Sequence, residues 1–398
     1  MNHGIKHHSI GQASLFVLVT LVTGTGIGLS VSLVASLFVA GLHLLTDHRH
    51  SMVMNLPILQ FAGGSLVPML WLIAAAFLLW GVRSLFGIKR WHGPADSIFG
   101  AHRLDNEIDV KAGIGSTIAA FIAMGGGASV GQYGPLVHFG ATIGSHIRQV
   151  FSNKMIGTDV FIGCGVAAAI AAGFHAPIAG IVFAHEAVLR HFSFRALTPI
   201  AISSITSVWF ATAIFGGDPL FTLDAAATDL LQMVPILLAS GLLFGVIAML
   251  FMLALFKSAA IAAKTGLPPL VLTLIAAVIC GGVAIFVPEI LGSGIAEINV
   301  IFGGGYALGF LFLLFVLKLL ATSLCIGFGL FGGVFSPAAM IGAAAGGFIS
   351  KFMAAVGFVT VPHLLPVAGF AAVTAAVVGA PISVVLVVFE LTQSYEFA

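Results

Sequence analysis

Charge is what this sequence has least of. Its 15 Lys and Arg and 14 Asp and Glu make up 7% of 398 residues, where a soluble domain carries about 25%. With 60% of the chain hydrophobic, no soluble domain fits anywhere along it. A net charge of +1 provides no basic face for nucleic acid. Cysteine is equally sparse. Cys164, Cys280 and Cys325 all lie in apolar stretches and read as small core residues, not as disulfides or a zinc site. No motif calls for a metal or a cofactor.

What the chain does have is spanning-length apolar sequence, at 14–45, 56–88, 112–147, 156–188, 196–215, 230–256, 270–290, 308–330, 334–356 and 364–391. Several of these exceed one crossing and predict tilted helices or two short ones, about a dozen or more segments in all. The first run is too long for the apolar region of a signal peptide, so it is expected to be retained, with 1–13 as a cytoplasmic segment. Lys89 and Arg90, with Arg103 and Lys111 nearby, suggest a cytoplasmic face there.

One stretch, MGGGASVGQYGPLVHFGATIGSH at 124–146, has seven glycines and a proline in apolar sequence, and it has a partner. Gly131, Pro135, Gly140, Ala141 and Gly144 recur as Gly333, Pro337, Gly342, Ala343 and Gly346, a shift of 202 (333 − 131). Downstream, Gly165, Ala176, Pro177 and Glu186 recur as Gly369, Ala380, Pro381 and Glu390, a shift of 204 (390 − 186). Glycine and alanine matches arise easily in such a composition; paired prolines and glutamates do not. The chain reads as two homologous transmembrane repeats, 14–217 and 228–398, with no soluble regulatory domain after them.

Transporters use duplicated halves with interrupted helices to build a site at the bilayer midplane. A helix broken inside the membrane leaves free N–H groups and a positive dipole end. These must face protein or a water-filled cavity, where they attract anions. The bland alternative is that small residues only let helices pack closely. That reading is preferred for 167–172 and 342–347, and for GTGIG at 24–28. At 131–135 and 333–337 the duplicated proline favours a helix break.

These residues resemble the CLC family of chloride channels and chloride/proton antiporters. The family's GREGP signature resembles GQYGP at 131–135, and its GIFAP signature resembles GVFSP at 333–337. GSGIP has a loose counterpart in WHGPA at 91–95, and 180–199 resembles the segment that ends the family's first half. The resemblance covers nearly the whole chain. It implies an all-α polytopic inverted repeat whose broken helices meet at a midplane anion site. It further implies a homodimer in the bilayer of a cell (inner) membrane, moving chloride or similar monovalent anions. The anion would be held at the amides of Val334 and Phe335 and at His92 with Gly93. An outer position would lie at the amides of Tyr133 and Gly134.

The departures from the family carry the functional reading. Proton-coupled members place a gating glutamate where this chain has Tyr133, with Gln132 beside it. A carboxylate exchanges protons near about pH 4.3 and a phenol near about 10. Tyr133 can plug a pathway or donate a hydrogen bond, but it is a poor proton carrier. The family's second, inner glutamate falls at Ala187, one past Glu186. Both absences point to a passive, uncoupled anion channel. The rival is an antiporter recruiting His92, His138 or Glu186 as proton carrier. His92 stands where the family has serine: it either binds an anion, more strongly when protonated, or is a loop histidine facing water. The family's pore-lining tyrosine from a last helix has no counterpart here, Tyr395 lying too near the preceding helix end.

Other ionisable residues stay open. Glu186 and Glu390, being repeat-related, favour a shared role at helix ends. His175 reads as a cap at a helix break, and Arg190 and Arg195 as interfacial anchors. Lys318 either snorkels to an interface or draws anions toward the vestibule. An enzyme is the distant alternative. HEAVLRH at 185–191 misses the H-E-x-x-H spacing, and GASVG at 127–131 lacks the sheet that a nucleophile elbow needs.

Overall fold

The computed structural model describes residues 10–61, 64–150, 156–216, 221, 234–358 and 363–392. Tyr395, Lys6 and most of the 1–13 segment lie outside the described residues. Fifteen α-helices dominate among the described residues. The first series is α1 Ile10–Asn55, α2 Val67–Phe86, α3 Pro94–His102, α4 Val110–Gly125, α5 Tyr133–Val150, α6 Thr158–Phe174 and α7 Pro177–Phe183, which α8 Phe194–Phe215 follows. The second is α9 Val234–Thr265, α10 Pro269–Ala284, α11 Ile295–Phe302, α12 Leu308–Gly327, α13 Phe335–Ala355, α14 Leu364–Val378 and α15 Pro381–Thr392. One element departs from an all-α reading. Gln60–Phe61 (β1) and Gly64–Ser65 (β2) form a two-residue antiparallel hairpin ahead of α2.

The first seven helices of one series match the seven of the other in order, with a long first helix, a short third one and breaks in the same places, and α8 has no counterpart among the described residues. Six of the helices are long and apolar enough to cross a membrane, and the rest are shorter, as broken crossings must be. The apolar stretch at 112–147 divides into α4 and α5 at Gly126–Gln132 positions, and 156–188 divides into α6 and α7 at His175. Prolines set the restarts. Pro94, Pro177, Pro269 and Pro381 each open a helix, where a missing N–H breaks no intrahelical bond. His175 ends α6 in the left-handed conformation (φ 53°), and its repeat counterpart Gly379 ends α14 in the same one (φ 73°).

The halves are related by a two-fold axis that can be located from bonds. Gly131 and Gly333 pair as an antiparallel bridge, N–H to carbonyl both ways at 2.7 and 2.6 Å. Antiparallel pairing of equivalent residues is what a two-fold axis between them produces. The same axis explains a second exchange. The Glu186 carboxylate accepts from the Ile382 and Ser383 amides at 3.0 and 2.7 Å. That of Glu390 accepts from Ile178 and Ala179 at 2.9 and 2.7 Å. Each glutamate near the end of one helix caps the start of the other, so α7 and α15 run antiparallel and the repeat is inverted.

Within each half, small residues let the broken helices close up. An added Cβ on Gly140 would strike the Gly165 carbonyl, and one on Gly165 would strike that of Gly140. Gly342 and Gly369 meet in the same way in the second half. α5 thus lies against α6, and α13 against α14, at backbone contact. At 24–28, a Cβ built on Gly28 would lie 2.5 Å from the Ser203 carbonyl oxygen of α8, a packing face as the spacing predicts. Lys318 corrects one expectation. It is fully buried in α12 and its ammonium donates to the carbonyls of Ile290 and Gly292 at 3.0 and 2.8 Å. It does not snorkel, because those carbonyls satisfy it where it stands.

Candidate functional site

Three helix starts converge at the bridge. A Cβ built on Gly134 would lie 2.9 Å from Gly333 Cα and 3.5 Å from Pro94 Cγ. One on Gly131 would lie 3.1 Å from Pro337 Cδ, and one on Gly93 would lie 3.8 Å from Phe331 Cζ. Trp91 reinforces the junction, its indole N–H donating to the Gly329 carbonyl at 3.3 Å. The N-termini of α3, α5 and α13 therefore point their partial positive charge at one locus. Glycine at 134 and 333 permits this, since any side chain there would separate the chains.

The amides divide into engaged and available. His92 N–H donates to Ser116 Oγ at 2.8 Å, and Gly93 N–H donates to the Asp96 carboxylate at 2.9 Å. What His92 offers an anion is therefore its ring, not its amide. The amides of Tyr133, Gly134, Val334 and Phe335 have no backbone acceptor among the described residues, as the first turn of a helix requires. These four are the donors that could hold an anion.

An aromatic stack covers them. The Tyr133 ring lies flat on Phe174, with centroids 3.6 Å apart and planes 18° apart, and meets Phe335 edge-on at 5.6 Å. Phe174 and Phe335 are 4.8 Å apart. The Tyr133 hydroxyl donates to the Gly173 carbonyl at 3.3 Å. A Cβ on Gly173 would come within 2.8 Å of the Tyr133 ring, so glycine there gives the ring its seat. All three rings are buried, and two of them, Tyr133 and Phe335, are the first residues of α5 and α13.

The remaining sequence candidates fall around this centre. Gln132 is buried directly before Tyr133, its carbonyl accepting from Leu136 at 3.1 Å. His138 is fully buried in α5, its Nδ1 2.8 Å from Ser97 Oγ and its ring 6.0 Å from that of His92. Glu186 lies apart, its carboxylate occupied by the start of α15 and by Ser383 Oγ at 2.5 Å. Ala187 is buried and apolar. Phe174, Ser97 and Ser116 were not legible in the sequence as site residues. Nothing in their spacing sets them apart from core positions until the tertiary fold brings them to the motifs.

Residues 74–398 match the family described as voltage gated chloride channel. Among relatives, the chain is 30% identical to the H(+)/Cl(-) exchange transporter ClcA of Vibrio cholerae serotype O1 over 388 residues, 93% of this chain and 81% of that one. It is 29% identical to the putative chloride channel protein ClcB-like of Ralstonia nicotianae over 331 residues, 81% of this chain and 77% of that one. Its fold is similar to that of a slow cyanobacterial Cl-/H+ antiporter, with TM-score 0.82 at 22% identity over 95% of this chain and 90% of that one. It also resembles a CLC-type fluoride/proton antiporter, with TM-score 0.76 at 22% identity over 98% and 93% of the two chains. A family match over most of the chain, a shared fold and paired helix ends at matching motifs lead to one assignment: the chain belongs to the voltage gated chloride channel (CLC) family.

Proposed function

We propose that this protein is a passive chloride channel, a homodimer in a cell (inner) membrane, that moves monovalent anions down their gradient without coupling to protons. The observation that carries this reading is Tyr133 at the start of α5, its ring stacked on Phe174 and edge-on to Phe335 at the start of α13. A dehydrated anion is stabilised by the amides of Tyr133, Gly134, Val334 and Phe335 and by the aligned dipoles behind them. Movement of the Tyr133 ring admits the ion, and the phenol holds its proton throughout. Gln132 shapes the outer side of the same gate. With Tyr133 and Ala187 where the family's two proton-carrying glutamates would stand, and Asp96 already held by Arg90 and the Gly93 amide, neither expected carrier accompanies the anion. No catalytic step is required.

The second reading is coupled exchange, favoured by the names of relatives such as the exchange transporter of Vibrio cholerae. It would need His92, His138 or Glu186 as carrier. Glu186 is the weakest of these, because both its oxygens already serve a helix start. Planar-bilayer recordings separate the two readings. In a chloride gradient the reversal potential should sit at the chloride equilibrium value with or without a pH gradient. A shift toward the proton potential would overturn the channel reading.

A further inference from the structure

Buried polar side-chain atoms without a hydrogen-bond partner are few among the described residues, and two of them sit on the two motif helices. These are Ser336 Oγ on α13 and His138 Nε2 on α5. Ser336 is 2% exposed and His138 0%. Folded proteins rarely keep such atoms idle, so each one asks for a partner.

Both are placed as donors. Ser336 is the second residue of α13, next to the free amides of Val334 and Phe335. Its hydroxyl lies 3.0 Å from where a Cβ on Gly131 would stand, and so points into the junction of the motifs. For His138 the tautomer follows from Ser97. If the Ser97 hydroxyl donates to Nδ1 at 2.8 Å, both groups are used and the ring proton sits on Nε2. The reverse assignment leaves the hydroxyl proton and the Nε2 lone pair both unused. His138 therefore presents an N–H. The charged and titratable neighbours of this ring are His92, Asp96 and Arg90. Asp96 is held by Arg90 at 2.5 and 3.2 Å and by the Gly93 amide, so its charge is offset and does not bar an anion.

Neither donor has a repeat counterpart. At the shift of 202, Ser336 answers to Gly134 and His138 to Met340. The helix ends are built by duplication; these two side chains are not.

We propose that Ser336 Oγ and His138 Nε2 are side-chain ligands of a small monovalent anion, flanking the helix-end amides, with Ser97 as the positioning residue for His138. This rests on reading the starts of α5 and α13 as the anion site. A hydrogen bond to a charged partner is the stronger kind, so losing one should be measurable.

The test is chloride titration by calorimetry on the purified full chain, with chloride flux from proteoliposomes as the second readout. Ser336→Ala and His138→Leu should each weaken chloride binding by about ten-fold or more. His138→Gln, which keeps an N–H of similar reach, should stay within about three-fold of wild type. Ser97→Ala should weaken binding in the wild-type background but not in the His138→Gln background, a split that general loss of packing would not give. Wild-type affinity in monodisperse Ser336→Ala and His138→Leu would overturn the ligand assignment alone. A wild-type protein that neither binds nor passes chloride would overturn the helix-end reading, and this one with it.

Discussion

Comparing the two halves separates what builds this protein from what it does. Where they agree, the shared residues make backbone meet backbone. Gly140 with Gly165 mirrors Gly342 with Gly369, and Glu186 on α15 mirrors Glu390 on α7. Gly131 and Gly333 bond to each other. Where they differ, the residues in the first two turns of the motif helices change: Tyr133 against Phe335, Gly134 against Ser336, His138 against Met340. A two-fold scaffold would offer an anion the same surroundings from both sides. In the proposed channel, the mismatched residues would give the pathway a direction and a gate.

The matched scaffold is where the largest effects are expected. Gly140→Leu and Gly342→Leu each drive a side chain into a carbonyl across a helix contact that has no slack. Each should cost more than about 4 kcal/mol and leave little monodisperse protein by size-exclusion chromatography. Tolerance of one and failure of the other would break the equivalence of the two contacts.

A mismatched position should leave the fold and change the flux. Tyr133→Ala removes two ring contacts, each worth about 1 kcal/mol. If that stack is the barrier, chloride efflux from proteoliposomes should rise on the order of ten-fold, with a normal elution profile. Unchanged efflux would mean the rings are ordinary core.

The paired glutamates join the two kinds of position. Glu186→Gln and Glu390→Gln each keep the size of the cap and remove its charge, at a cost of about 1 kcal/mol. Thermal denaturation in detergent should show two similar losses and no change in flux. A change in proton movement for Glu186→Gln alone would promote it from cap to carrier.

How much of this could be read from sequence follows the same division. Duplication was legible because Pro135 and Pro337, Pro177 and Pro381, and Glu186 and Glu390 recur at fixed shifts, and prolines and glutamates are rare in this composition. The break inside 112–147 was only partly legible, since a glycine loop is as apolar as the helices it joins. That Glu186 caps α15 instead of its own half was hidden, because it depends on the axis and not on spacing. Phe174 was hidden for a similar reason: among the many phenylalanines of this chain, only the fold sets one beneath Tyr133. Lys318 stays open in the sequence, between an interface and the vestibule, because its carbonyl partners at 290 and 292 lie in another element.

The smallest effect is the most specific to the comparison. Tyr133→Phe makes the first half match the second at this position, where Phe335 already stands. What is lost is one hydroxyl whose bond to the Gly173 carbonyl is 3.3 Å long, at the weak end for an O–H donor. The ring, with its stack on Phe174, stays. If the ring is the gate, chloride flux should move by no more than about three-fold, since a neutral hydrogen bond contributes about 1 kcal/mol or less. If the hydroxyl itself binds the passing ion, the loss should approach that of a bond to a charged partner, about ten-fold or more. Flux of Tyr133→Phe beside Tyr133→Ala thus decides whether the residue that sets the two halves apart acts through its ring or through its oxygen.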